Sequence, residues 1–222
     1  MDEMYQPGNF EAGNSTTVDQ ALWALMKMFI SHATGESVFD RPAFQTAWQK
    51  LLETLVAAFP DISIYNLAMV GSSLTTHELY AENLIVSRFV VELNPASAES
   101  QCFLGHAYRK VGDLEAAIAC YQCAYNLAMG KANEQALSPS HPIRLDACDY
   151  LIHLAETEND AGRPANALIH ATRAFNILKN SRSMFKYLTV YETLHRVCLR
   201  LGAETLAEQY RLEAEKVRPQ GI

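Results

Sequence analysis

The sequence has no run of basic residues, no long apolar stretch and none of the short glycine-rich motifs that cradle phosphates. Eighteen Lys and Arg stand against twenty-five Asp and Glu over 222 residues, a net charge of −7 at neutral pH. The imbalance is local: residues 1–97 carry eleven acidic and four basic side chains, and residues 98–222 carry fourteen of each. Nucleic-acid affinity rests on clustered Lys and Arg that release counterions from phosphates, so no nucleic-acid partner is expected. The apolar stretches, such as Leu55 to Phe59 and Leu84 to Val86, fall far short of the ~20 residues that a membrane-crossing helix needs. Asp2 and Glu3 stand where a secretory signal would carry basic residues, which predicts a cytoplasmic location. Five cysteines make an odd number spread over helical patterns, which suits reduced thiols better than a disulfide scaffold.

Chemistry is equally sparse. Gly-x-Ser-x-Gly, Gly-x-x-x-x-Gly-Lys, Gly-x-Gly-x-x-Gly and His-Glu-x-x-His are all absent, which removes the common nucleophile elbow, phosphate cradles and paired-histidine zinc helix. Cys120-x-x-Cys123 is the one pair with metal or redox spacing. It lacks the second Cys/His pair of a structural zinc site, so packing inside a helix is the expected role. Acid pairs one turn apart, Glu156/Asp160 and Glu204/Glu208, read as solvated helix faces. These readings predict no catalysis, no cofactor and no metal ligand.

With hydrophobic residues at 49 %, the chain is able to bury a substantial core. Residues 1–14, with Pro7, Gly8, Asn9 and Gly13, read as a mobile tail, and residues 15–60 as N-terminal helices. Leu22, Leu25, Met26 and Phe29 recur at helical spacing from Asp19, and Asp40 and Pro42 open a helix with the stripe Phe44, Trp48, Leu51, Leu52, Leu55. Asp61 caps a shorter helix through about Val70. Thr75 and Glu78 have the spacing of a capping box ahead of Leu79 to Leu93.

From Gln101 the order of residues becomes specific: Leu104-Gly105-x-x-Tyr108, Gly112-Asp113, Ala117, Tyr121, Ala124. Laying Gly162 on Gly112 brings Leu154-Ala155, Ala167, Ala171 and Ala174 into register, and laying Gly202 on Gly162 does the same for Leu194, Ala207 and Ala214. This pattern resembles the tetratricopeptide repeat (TPR), in which two antiparallel helices pack through small residues and successive pairs stack. The resemblance implies an all-α fold, a right-handed superhelix of stacked antiparallel helix hairpins preceded by additional N-terminal helices. The repeats fall at about 61–95, 98–131, 148–181 and 188–220 within residues 61–222. The glycines lie 50 and 40 residues apart, more than the ~34 of the standard unit. An inserted linker at 130–142 and first helices about a turn longer in the later units would account for the surplus.

In TPR proteins the first helix of each unit lines a concave groove that holds a peptide or helix of another protein. Carried over, the groove residues are Glu99, Cys102, His106, Arg109 and Lys110 in the clear unit. Asp149, Ile152, His153, Glu156 and Asn159 follow in the next, and Glu192, Arg196 and Arg200 in the last. Arg109, Arg196 and Arg200 would face Glu156 and Asp149 across the groove, which suits a partner segment of mixed charge. The Lys and Asn clamp with which relatives hold chaperone C-termini has no counterpart here. The reading is therefore a non-enzymatic scaffold or adaptor. A dedicated secretion-type chaperone, and a metal- or redox-responsive domain using Cys120 and Cys123, are the alternatives. Trp23, Met26, Met28, Phe29 and Ile30 form an apolar face through which the N-terminal helices could also make a homo-oligomer.

Overall fold

The computed structural model describes residues 64–76, 78–138, 140–179 and 184–218, with Gln49 and Glu53 as single helical positions. The expected tail, the helix from Asp19, the apolar face at Trp23 to Ile30 and most of the helix from Asp40 lie outside the described residues. Among the described residues every regular element is an α-helix. The chain divides into two compact units, Met1–Leu79 and Tyr80–Ile222. The division falls between the two helices of the first expected repeat.

In the first unit, α1 spans Ile64–Thr76 and so outruns the expected end near Val70. Leu67, Val70 and Leu74 are buried at helical spacing, so the apolar stripe continues past Gly71. The Thr75 and Thr76 hydroxyls donate back to the carbonyls of Gly71 and Ser72 at 3.0 and 3.1 Å. Leu79 N–H then reaches Leu74 O at 2.9 Å and Glu78 N–H reaches Thr75 O at 3.0 Å. That pattern is a Schellman closure, and Glu78 sits at its left-handed position with φ 59°. Thr75 and Glu78 therefore end α1 rather than box the start of the next helix.

The second unit holds α2 (Tyr80–Leu93), α3 (Ala98–Val111), α4 (Leu114–Glu134), α5 (Pro142–Asp160), α6 (Pro164–Leu178), α7 (Met184–Arg200) and α8 (Glu204–Val217). α3 pairs with α4, α5 with α6 and α7 with α8, and each pair packs on the next; α2 lies on α3. The starts follow from local chemistry. Ser97 Oγ accepts from Ser100 N–H and Asp113 Oδ1 from Ala116 N–H, both at 3.1 Å, while Pro142 and Pro164 occupy first-turn positions.

The three hairpins close identically. Gly112, Gly162 and Gly202 have φ of 86°, 77° and 71°. Each glycine N–H bonds to the carbonyl three residues back at 3.1–3.2 Å, and the following N–H bonds five residues back at 2.8–3.0 Å. Left-handed backbone is open to glycine without the Cβ clash, so the helix stops where the glycine stands. The alanines keep the same register. Ala117, Ala167 and Ala207 are the fourth residues of α4, α6 and α8, and Ala124, Ala174 and Ala214 the eleventh. All six are buried, the least so by 4 % exposure. Methyl-sized side chains there let partner helices approach closely.

Gly105 carries the tightest approach. A Cβ on it would stand 2.7 Å from Tyr121 Cε1, so the α4 ring lies directly against the α3 backbone. In the next hairpin Ala155 and Ala171 take these two places, both fully buried.

The expected linker at 130–142 is corrected. α4 continues through Gly130 to Glu134, leaving only residues 135–141 as connection. Ala128 and Ala132 extend the buried stripe of Ala117, Tyr121 and Ala124, and Gly130 faces outward with nothing within 4 Å of its Cβ position. An outward glycine weakens a helix without stopping it when the opposite face is buried. The later first helices are indeed longer, 19 and 17 residues against 14 for α3. α5 begins at Pro142 and α7 at Met184, ahead of the expected 148 and 188.

Candidate partner-binding face

The first helices of the three hairpins meet one another. α5 packs directly on α7, and α3 reaches α5 through side chains. Of the thirteen residues expected to line a groove, Arg109 and Arg196 meet at Glu156, and Cys102, His106 and His153 cluster; the thirteen differ in availability. Ile152 is buried at 3 % exposure and Cys102 and Asn159 at 9 %, so these three pack between helices. Glu99, Lys110, Arg196 and Arg200 are exposed, and the remaining six are half-buried. Lys110 Nζ lies 5.7 Å from the centre of the Tyr80 ring.

The charges are not ranged on opposite sides. Glu156 sits between two arginines: Arg109 Nη1 donates to its Oε2 at 3.2 Å and Arg196 Nη2 to its Oε1. Arg109 Nη2 also donates to Asp160 Oδ2 at 2.7 Å. Arg200 Nη1 donates to the Asn159 carbonyl at 2.8 Å, Lys186 pairs with Asp149, and Arg218 Nη2 donates to Glu192 Oε1 at 3.0 Å. The expected mixed-charge lining is thus largely neutralised within the protein. One carboxylate held by guanidinium groups from α3 and α7 ties three hairpins together. Its residual exposure of 20 % shields it from water better than a free surface pair. Burial disfavours the Arg109 charge, but the hydrogen bonds that its guanidinium donates to Asp160 and Glu156 outweigh this and raise its pKa.

One turn along α3 lies a second cluster. Cys102 Sγ is 3.4 Å from His106 Nε2, and Tyr121 Oη is 2.8 Å from His106 Nδ1. The His106 and His153 rings meet edge to face with centroids 4.5 Å apart, and Tyr121 lies 5.5 Å from His153. One ligand atom each from Cys102, His106 and His153 fall within 4.8 Å of one another. Burial, followed by the neighbouring His153 and Arg109, holds the His106 imidazole neutral with its pKa lowered to about 4. Burial lowers His153 as well, opposed by Glu156 and Asp149. Burial, reinforced by Asp149 and Glu99, pushes the Cys102 thiol up to about 12. Residue spacing assigns Cys102, His106 and His153 to a groove without linking them. The detectable signal was Cys102-x-x-x-His106, which places both side chains on one face of α3.

Cys120 and Cys123 lie on α4, both free; Cys120 is buried and Cys123 half-buried. Burial, followed by the neighbouring Cys123 and Asp113, pushes the Cys120 thiol up to about 11.

No family model and no curated protein matches this sequence. Solved structures do. Residues 41 to the end of MamA from Desulfovibrio magneticus RS-1 superpose with a TM-score of 0.58 at 10 % identity, over 94 % of this chain and all of that one. A putative kinesin light chain from Podosopora anserina with nearly identical TPR-like repeats gives 0.58 at 15 % identity, over 89 % and 95 %. BtubC (BKLC) from P. vanneervenii gives 0.58 at 11 % identity, over 91 % of each chain. The chain has the TPR-like all-α fold that Leu104-Gly105, Tyr121 and the turn glycines imply.

Proposed function

We propose that this protein is a non-enzymatic scaffold that seats an extended or helical segment of another protein along α3, α5 and α7. The observation that carries this reading is that α5 packs on α7 while α3 reaches α5 through side chains, so that Glu156 links outward groups of all three helices. A stack of hairpins offers area rather than an enclosed cavity. Affinity would come from many shallow contacts along an elongated partner. Near the centre of this proposed strip, the recess bounded by Arg109, Glu156, Asp160, Thr193 and Arg196 encloses only about 60 Å³. Because the charges of this strip are already paired, electrostatics would orient the partner more than hold it. Exposed Glu99 and Lys110 are the groups with most freedom to do so.

The reading is tested with peptides selected against the purified protein from a random display library. Amide exchange protection by a selected peptide should fall on α3, α5 and α7, and Arg196→Glu should weaken its binding. Ile169→Glu, on the opposite helix layer and 51 % exposed, should leave it unchanged. Protection confined to α4, α6 and α8, or equal effects of the two substitutions, would discard the proposed face.

A further inference from the structure

The geometry points to a binding site for a zinc-class divalent cation formed by Cys102 and His106 of α3 and His153 of α5. Nothing in the scaffold reading requires such a site, and it stands or falls separately.

The donor set fits. Thiolate and imidazole are the ligands that zinc prefers among protein side chains, and three of them with one open position is a common coordination. A tetrahedral ion with bonds of about 2.3 Å to sulfur and 2.0–2.1 Å to nitrogen separates its ligand atoms by roughly 3.3–3.6 Å. Cys102 Sγ and His106 Nε2 are already 3.4 Å apart. All three donor atoms lie within 4.8 Å, so His153 needs to close by at most about 1.5 Å, within the reach of a side-chain rotation.

The surroundings fit as well. A histidine that binds metal through one nitrogen usually donates its other N–H to a fixed acceptor, which sets tautomer and ring angle. Tyr121 Oη stands 2.8 Å from His106 Nδ1 in that role, and the tyrosine itself is fully buried against Gly105. In the metal-free arrangement where the Cys102 thiol donates to Nε2, Nδ1 already carries the proton that coordination through Nε2 requires. The cation then takes the place of the thiol proton, which leaves to solvent. Asp149 lies one turn from His153 and Glu156 three residues beyond it, so two carboxylates flank the imidazole on α5. Both histidines are half-buried, so an ion has a route in, whereas Cys102 is shielded from oxidants. Bound there, the ion would cross-link α3 to α5 at the junction of two hairpins and leave a coordination position facing the strip.

The test uses the full 222-residue chain without an affinity tag, stripped with a chelator and titrated with Co2+ as the probe. One equivalent should produce a thiolate-to-cobalt charge-transfer band with the visible absorption of a tetrahedral site, and Zn2+ should abolish both. Cys102→Ser should remove the charge-transfer band, and His153→Asn should weaken Co2+ binding by at least about tenfold. The Cys120→Ser/Cys123→Ser double variant should behave as the parent. Circular dichroism confirms that each variant is folded, and His153→Asn, altering a half-buried ring, serves if Cys102→Ser does not fold. No charge-transfer band in the folded parent, a band that survives Cys102→Ser, unchanged affinity in His153→Asn, or a band lost with the Cys120/Cys123 pair would each overturn the site. None of these outcomes depends on whether a peptide binds the strip.

Discussion

Gly105→Ala should destabilise this protein, against the ordinary preference of a helix interior for alanine. The added Cβ would lie 2.7 Å from Tyr121 Cε1 and 2.9 Å from Cδ1, where unstrained contacts begin near 3.4 Å. The ring must therefore retreat by about 0.7 Å. It has nowhere soft to go, because Tyr121 is fully buried and its hydroxyl is held 2.8 Å from His106 Nδ1. Overpacking of a filled core site costs about 1–3 kcal/mol. Exchanging a mid-helix glycine for alanine favours the folded state by roughly 1 kcal/mol. The steric effect outweighs the propensity effect, for a net loss of about 0–2 kcal/mol. The decisive measurement is a double-mutant cycle in urea, followed by far-ultraviolet circular dichroism. In a Tyr121→Ala background the obstruction is gone, and the same Gly105→Ala change should now stabilise by about 1 kcal/mol. If the substitution is equally stabilising in both backgrounds, the close approach of ring and backbone does not govern this hairpin.

Other consequences are open to direct test. Gly130→Ala should stabilise by roughly 1 kcal/mol, since the position is helical, exposed and unobstructed; a loss in the urea midpoint would contradict an α4 that runs to Glu134. Gly112→Ala should lower stability by about 1–2 kcal/mol because φ is 86° there, and thermal unfolding would register the difference. Native thiol labelling at pH 8 should find one fast cysteine, Cys123. Burial pushes Cys102 and Cys148 up to about 12, Cys120 up to about 11 and Cys198 upward, and more than one rapid adduct by mass spectrometry would refute this. Glu156→Ala should cost about 1 kcal/mol at low ionic strength and less at 1 M salt, because it removes a carboxylate shared by two arginines.

The hairpins were legible because their signals are local and have few substitutes. A left-handed residue after a helix favours glycine, and a close helix crossing favours alanine, so Gly112, Gly162 and Gly202 together with the alanines at fixed offsets expose the repeat. Where the signal admits alternatives, reading fails. Glu78 adopts a left-handed conformation without being glycine, and Gly130 passes through a helix that burial on the far side sustains. The candidate site divides the same way. Helix periodicity placed Cys102, His106 and Arg109 on one face of α3, but their partners His153 and Glu156 lie 47 residues from His106 and Arg109, across a packing interface. Pairing across that distance depends on how one hairpin is rotated against the next, which residue spacing within a helix does not encode. Hence opposed charges were expected to await a ligand when they neutralise each other.

The short glycine closures also bear on how the molecule comes apart. Every hairpin is completed by backbone bonds from its own two- or three-residue turn to the last turn of its first helix and leans chiefly on its immediate neighbours, so no distant strand has to be peeled away first. Loss of order would then run as a zipper from the C-terminal end, where α7 and α8 have a neighbouring hairpin on one flank alone among the described residues. Amide protons there should exchange soonest and those around Leu151 and Leu154 last, a gradient along the axis in place of a single all-or-none melting.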